Sequence, residues 1–451
     1  MKESSKKNWI IITCLVLFFS FFMGFYLSYR ITEKEKSKVD IISEIMEEEW
    51  YYGIDDEDLS STLETNKILG MLDMNKDPYT RYLLSLGSLA DSFTGAGIEI
   101  YAYGEYVIVA EVISQSAIDA GIKVGDVILS IDGISVKNKP LKELDELIIS
   151  KESVKCKILR NNQELELNLP VVTFDPITVF TKEYDNVSYV RITEFNLDTG
   201  ERLDNYFYNL STEYTNLVID LRGNPGGYIS AVRDVLDLFV GKNKVVMSTV
   251  DKKGNITYIK TTDDSLYIFN KIIVLIDENS ASGAEALSAA LDYHLEDIVT
   301  LYGNTTYGKG SAQKTYYFDD GTYFHYTYAL WNTPYGNTIN HIGVAPEVES
   351  INKGISSITF YDEELELYDY GIEVLSIQKM LKLLGYYDGS LHSFMDEDVV
   401  KALKEFQEDN NLTVTGIVDN QTLRLINKLV YDDKVDYLAN ELNTVLGSMF
   451  S

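Results

Sequence analysis

The sequence predicts a multidomain protein of the α+β class, and three observations carry that expectation. With 451 residues the chain is long enough for about three domains and a sizeable core. Its 45% apolar and 24% charged residues are those of a folded globular protein. The patterning also changes along the chain: an uncharged apolar run comes first, then a stretch rich in strands and glycine turns, then alternating strands and helices, then helical periodicity. A net charge of -31 argues against a nucleic-acid partner and against attraction to an anionic membrane surface, so membrane contact requires an apolar anchor. Of the two cysteines, Cys14 lies inside the apolar run, so no disulfide with Cys156 is expected.

Residues 1–8 read as a cytoplasmic tail with Lys2, Lys6 and Lys7. Residues 9–29 form an uncharged run of 21 residues, which at ~1.5 Å per residue spans a ~30 Å hydrocarbon layer. The run ends in Phe-Tyr-Leu-Ser-Tyr-Arg, a poor signal-peptidase site, so an uncleaved transmembrane anchor is preferred to a signal peptide. Residues 30–90 read as an N-terminal helical segment. Val39, Ile42, Ile45 and Met46 recur at helical spacing, a second helix is expected over 63–72, and Asp77-Pro78-Tyr79 closes it with a structural turn.

Residues 91–173 contain Gly95-Ala96-Gly97-Ile98, a strand around 106–112 and a Gly121 to Gly133 stretch ending in an Asp-Gly turn. An amphipathic helix over 141–149 follows. Residues 174–355 alternate strand and helix. Residues 216–221 are a strand running into Arg222-Gly223-Asn224-Pro225-Gly226-Gly227, where glycines let a strand end present backbone N–H groups. Residues 365–432 show helical faces at Val374, Ile377, Leu381 and Leu384, and at Val399, Leu403 and Phe406. A final helix is expected at 433–451.

The chemistry gathers in residues 271–313. An apolar, β-branched strand over 272–276 ends in Asp277-Glu278-Asn279, and Ser280-Ala281-Ser282-Gly283-Ala284 then opens a helix. A hydroxyl at such a turn has helix N–H groups beside it that could serve an oxyanion, although an ordinary N-cap serine would read the same way. One helix and one strand later comes Tyr307-Gly308-Lys309-Gly310-Ser311-Ala312-Gln313. It lacks the upstream glycine of a phosphate loop.

Together, the Ser-Ala-Ser-x-x-Glu and Gly-Lys-Gly-x-x-Gln turns resemble those of the C-terminal processing peptidases, the tail-specific Ser/Lys proteases of family S41. The resemblance extends to 91–173 as a PDZ domain of β-barrel-like form, to 174–355 as an α/β serine protease core, and to 365–432 as a three-helix peptidoglycan-binding-like domain. It implies Ser282 as nucleophile, with Ser280 as competitor, Lys309 as general base and Gln313 as a neutral group orienting the amine. The oxyanion hole would be formed by the backbone N–H groups of Gly226 and Gly283, with Gly227 as the alternative to Gly226. Gly97 and Ile98 would hold a peptide carboxylate beside the PDZ groove. No metal or cofactor is implied.

The sequence departs from the family pattern at Gly283 and Ala284, in two extra residues between the turns, and at Asp292, a loose match to the family's aspartate. The expected activity is that of a membrane-anchored serine endopeptidase acting on protein C-terminal tails in the envelope. The expected partners are those tails, peptidoglycan, the membrane through residues 9–29 and a second copy in a homodimer. A catalytically silent envelope scaffold, or a triad hydrolase using His294 as base, would be the alternatives.

Overall fold

The structure is a computed structural model that describes residues 38–52, 77, 79–83, 93–149, 151–264, 266–350, 358–361 and 364–449. The apolar run at 9–29 and the helix expected at 63–72 lie outside the described residues. Among the described residues no helix is long and apolar enough to cross a membrane. The chain divides into two compact units, residues 1–85 with 313–328, and residues 86–312 with 329–451.

In the first unit the helix Lys38–Glu48 buries Ile42, Ile45 and Met46 against Trp50, Phe318, Phe324 and Tyr326. These are the positions that helical spacing selects. The strand Arg81–Leu83 pairs antiparallel with residues 323–325. Asp77 is buried and accepts from Trp50 Nε1 at 2.6 Å and from Thr327 Oγ1 at 3.0 Å. Its role in the turn is structural, because a carboxylate out of water must be matched by donors.

The second unit begins with an antiparallel sheet. Its strands β1 (Ile98–Tyr103), β2 (Tyr106–Val112), β3 (Val127–Ile131), β4 (Ser153–Arg160) and β5 (Gln163–Pro170) lie in that order, leaving β1 at an edge. Helix α1 (Leu141–Ile148) buries Leu144 in the core of this domain. Asp126, buried in the expected glycine-framed turn, accepts from Arg160 Nε at 2.6 Å and Nη2 at 2.5 Å, tying that turn to the end of β4.

A six-stranded sheet follows, ordered β6 (Val179–Tyr184), β7 (Val187–Ile192), β8 (Asn216–Asp220), β9 (Lys271–Ile276), β10 (Val299–Gly303) and β11 (Val348–Glu349). Only the β6–β7 pair is antiparallel. Helices α2 (Thr199–Asn209), α3 (Ile229–Asp237) and α4 (Gly283–His294) contribute Leu203, Val232, Val235 and Leu287 to the core on one face, with Leu217, Ile219, Ile272 and Val274. On the other face Val218, Ile273 and Leu275 pack with Val445, Leu442 and Leu446 from the C-terminus. Burial on both faces explains why β8 and β9 read as continuous apolar runs instead of alternating.

The C-terminal helices are α5 (Ile372–Leu383), α6 (Glu397–Asp409) and α7 (Asn420–Met449). Val374, Ile377, Leu381, Val399, Leu403 and Phe406 form their core, as the periodicity requires. The separate helix expected at 433–451 is instead a continuation of α7, which has 30 residues. No proline or glycine interrupts the chain between Asn420 and Leu446, so nothing stops the helix. Gln407 is fully buried: Oε1 accepts from the N–H groups of Thr415 and Gly416, and Nε2 donates to Ile417 O and Thr422 Oγ1. Gln407→Leu leaves these groups unmatched, and the full chain is expected to lose about 3 kcal/mol or more, measured by denaturant unfolding.

Candidate active site

The serine turn starts where β9 ends. Asp277, almost fully buried, accepts through Oδ1 from the N–H groups of Gly223 at 2.9 Å, Asn279 at 3.0 Å and Ser280 at 3.0 Å. One carboxylate oxygen therefore joins the turn after β9 to the turn after β8. Ser280 is enclosed: its Oγ donates to Leu221 O at 2.8 Å and accepts from the Asp277 N–H at 2.9 Å. The hydroxyl of the competing serine is thus spent on holding the two strand ends together.

Ser282 caps α4 with φ 51° and ψ -108°. A side chain with a Cβ rarely adopts this conformation, and holding it costs on the order of 1–3 kcal/mol. Strained strand-to-helix turns of this kind lift a hydroxyl clear of its neighbours. Behind it, every residue from Gly283 to Leu291 is buried, so the turn rests on a fixed support.

Glu285, wholly buried in the first turn of α4, connects this serine to the lysine turn. Its Oε2 accepts from the N–H groups of Ser282 at 2.8 Å and Lys309 at 2.9 Å. Its Oε1 accepts from Thr306 Oγ1 at 2.5 Å and the Gly308 N–H at 2.7 Å. Burial pushes the Glu285 carboxyl above its ordinary value, while the four donors pull in the opposite direction. In the sequence Glu285 is the glutamate that ends the Ser-Ala-Ser-x-x-Glu turn, and that spacing alone assigns it no partner. Its role was detectable in principle, because a glutamate three residues into a helix reaches back to the N-cap amide.

The glycines flanking Lys309 have steric reasons. Gly308 has φ +87°, and a Cβ on Gly310 would lie 2.5 Å from the Asn340 nitrogen. The Lys309 carbonyl accepts from Trp331 Nε1 at 3.0 Å. Gln313 belongs to the other compact unit, where Nε2 donates to Thr327 Oγ1 at 3.2 Å. Gly97 and Ile98 stand at the start of β1. Gly97 has φ +71°, and a Cβ there would sit 1.8 Å from Ser114 Oγ.

Gly226 approaches the serine turn closely, since a Cβ on it would lie 2.8 Å from both the Gly283 nitrogen and Ser282 Cβ. Its own N–H, expected to serve an oxyanion, instead donates to Asn224 Oδ1 at 2.7 Å. The Asn224 amide is locked in place by donating to Ile192 O at 2.8 Å. An asparagine bonding the backbone two residues ahead is a stable turn in itself, so in this arrangement Gly226 offers its Cα surface and not its N–H. Gly227, the alternative, lies against Phe195, where a Cβ would fall 2.3 Å from the carbonyl oxygen. Gly283 is the first residue of α4, where amides lack an intrahelical acceptor.

Asp292 and His294 lie at the opposite end of α4 from Ser282. Twelve residues of helix separate the ends by roughly 18 Å. Asp292 accepts from Tyr335 OH at 2.9 Å, and His294 Nε2 bonds the Val245 carbonyl at 2.7 Å. Neither reaches the serine, which removes the arrangement with His294 as base.

Two substitutions test this geometry. Glu285→Gln turns one acceptor oxygen into a donor facing two donors, and is expected to cost about 3 kcal/mol of stability and at least about tenfold in peptidase turnover. Because burial raises its pKa, acidification protonates Glu285 at a pH above the ordinary value of 4.5, so amide-exchange protection at Ser282 and Lys309 should fall there, as hydrogen exchange against pH measures. Gly226→Ala, which drives a methyl group against Ser282 and Gly283, should abolish turnover, with loss of the fold checked by circular dichroism.

Comparison with known proteins agrees with this architecture. A model of peptidase family S41 matches residues 186–350, a PDZ domain model residues 86–171, and a peptidoglycan-binding domain model residues 370–426. The chain is 31% identical over 403 residues to the carboxy-terminal processing protease CtpA of Bacillus subtilis, covering 86% of this chain and 85% of that one. It is also 31% identical to the carboxy-terminal processing protease CtpB of the same organism, covering 93% of this chain and 90% of that one. A solved Bacteroides fragilis structure described as an S41 protease shares the fold, with a TM-score of 0.54 at 15% identity, over 70% of this chain and 92% of that one. The chain belongs to peptidase family S41, alongside the carboxy-terminal processing proteases, and is a serine-type peptidase.

Proposed function

We propose that this peptidase cleaves envelope proteins after binding their C-terminal tails in the PDZ groove, with Ser282 as nucleophile and Lys309 as general base. The observation that carries the reading is the Glu285 carboxylate, which bonds the backbone of Ser282 and of Lys309 through a single oxygen. Ser282 Oγ attacks the scissile carbonyl as the Lys309 amine takes its proton. A solvated lysine is protonated and cannot do this, so the proposal requires the amine to be desolvated enough to be neutral. Gln313 is the neutral orienting group of the proposal: a carboxylate in that role would keep the amine charged. The oxyanion is met by the Gly283 N–H and, with Gly226 bonded to Asn224, by the Gly227 N–H. Lys309 returns the proton to the leaving amine, and water then hydrolyses the acyl-serine.

In this reading residues 9–29 anchor the chain in the membrane with its bulk outside. Gly97 and Ile98 receive the tail carboxylate, and the helices around residues 370–426 bind peptidoglycan. The test is digestion of a protein bearing an apolar C-terminal tail. Wild type is expected to cleave it, and Ser282→Ala and Lys309→Ala to lose about 10³-fold or more in kcat. Full activity in either variant would falsify the dyad.

A further inference from the structure

The turn at residues 222–227 is held from outside the protease sheet. Arg222, its first residue, lies between two carboxylates. Nε and Nη2 meet Asp220 Oδ1 and Oδ2 at 2.9 and 2.5 Å, and Nη1 meets Glu441 Oε2 at 2.5 Å. Asp220 belongs to the strand that Arg222 leaves, so this pair moves with β8 and fixes nothing beyond it. Glu441 stands 219 residues further along the chain, on α7. Its other oxygen accepts from Tyr437 OH at 2.7 Å, and Tyr437 OH meets Ser350 Oγ at 2.6 Å. The next residue of the turn, Gly223, donates to Asp277. The turn is therefore held from β7 through Asn224, from the end of β9 through Asp277, and from the C-terminal helix through Glu441.

Charge balance alone does not call for Glu441. Asp220 already matches Arg222, and Arg191 is paired with Glu111 at 2.5 Å. The exposures of the Arg222 and Glu441 side chains are 9% and 4%. A second carboxylate buried to this degree carries a large desolvation penalty, and a buried ionic contact is more readily explained by the geometry it fixes than by net stability. Four residues after Arg222, Gly226 lies against Ser282 and Gly283.

We propose that Glu441 is a positioning residue of the peptidase reaction: from the C-terminal helix it fixes Arg222, and through Arg222 the backbone of residues 222–227 beside Ser282. This rests on the reading of Ser282 and the glycine turn as the catalytic machinery.

The test uses the full chain and the tail-bearing substrate. Glu441→Met fills the volume without an acceptor and leaves Arg222 its Asp220 partner. Glu441→Gln restores a carbonyl oxygen for Arg222. The Met variant is expected to lose about tenfold or more in kcat with KM changed less than about twofold, and to lose amide hydrogen-exchange protection over residues 222–228. The Gln variant is expected to recover part of both. If the Met variant fails to fold, Tyr437→Phe removes only the hydroxyl that orients Glu441 and should shift kcat and exchange in the same direction, by less. Unchanged kcat or unchanged exchange at the turn overturns the proposal, as does exchange that rises evenly over the whole chain with no recovery in the Gln variant. Full activity of Ser282→Ala overturns the catalytic reading instead, and the exchange measurement still reports separately whether Glu441 holds the turn.

Discussion

A single buried carboxylate sets the geometry on which the rest of this site depends. Glu285 takes four donors on two oxygens, and those donors come from two segments separated by a helix and a strand. The arrangement is possible because the serine turn and the lysine turn follow β9 and β10, neighbouring parallel strands whose carboxyl ends lie at the same edge of the sheet. An acidic group with no water around it needs all of its acceptor sites filled. That requirement makes the relative position of the two turns a condition of burying α4, and the backbone strain at Ser282 can persist because its surroundings are over-determined.

The glycine turn completes the enclosure by steric means. Gly226 has no room for a Cβ, and Asn224 and Asp277 hold the backbone leading into it. The outcome is a wall formed by three strand ends, β7, β8 and β9, in which side-chain carboxylates and amides act as struts between main-chain segments. In an open parallel sheet the loops beyond the strand carboxyl ends are the natural place for reacting groups. Here those loops are braced against one another.

Local patterning revealed much of this. The apolar run at 272–276 marked a doubly buried strand, the spacing of Val374, Ile377 and Leu381 marked a helix face, and the glycines around Lys309 marked a turn that only glycine can make. What stayed hidden depended on distant partners. Asn224 can take the Gly226 N–H within its own turn, but nothing local announces that its amide also bonds a carbonyl on β7, at Ile192. Asp277 read as a polar end to a strand, and its bond to Gly223 requires knowing that β8 and β9 are neighbours. Asp292 lies near the end of α4, where the sequence places it, but its bond to Tyr335 OH depends on a segment far along the chain. Helical periodicity likewise shows that a segment is helical, but not that α7 runs unbroken from Asn420 to Met449 or which sheet its far end will cover.

The last helix has a consequence for the timing of assembly. α7 packs on the edge strand β1 through Tyr431, which meets Tyr101 and Tyr103, and holds the segments beside it through Arg424, whose guanidinium bonds the carbonyls of Gly104, Tyr106 and Lys139. Its far end supplies Leu442, Val445 and Leu446 to the face of the six-stranded sheet opposite α2, α3 and α4. During synthesis, every strand of that sheet leaves the ribosome before the residues that seal it. Until α7 is made, Val218, Ile273 and Leu275 have nothing from the C-terminal helix to cover them, so that side of the sheet is finished after its strands.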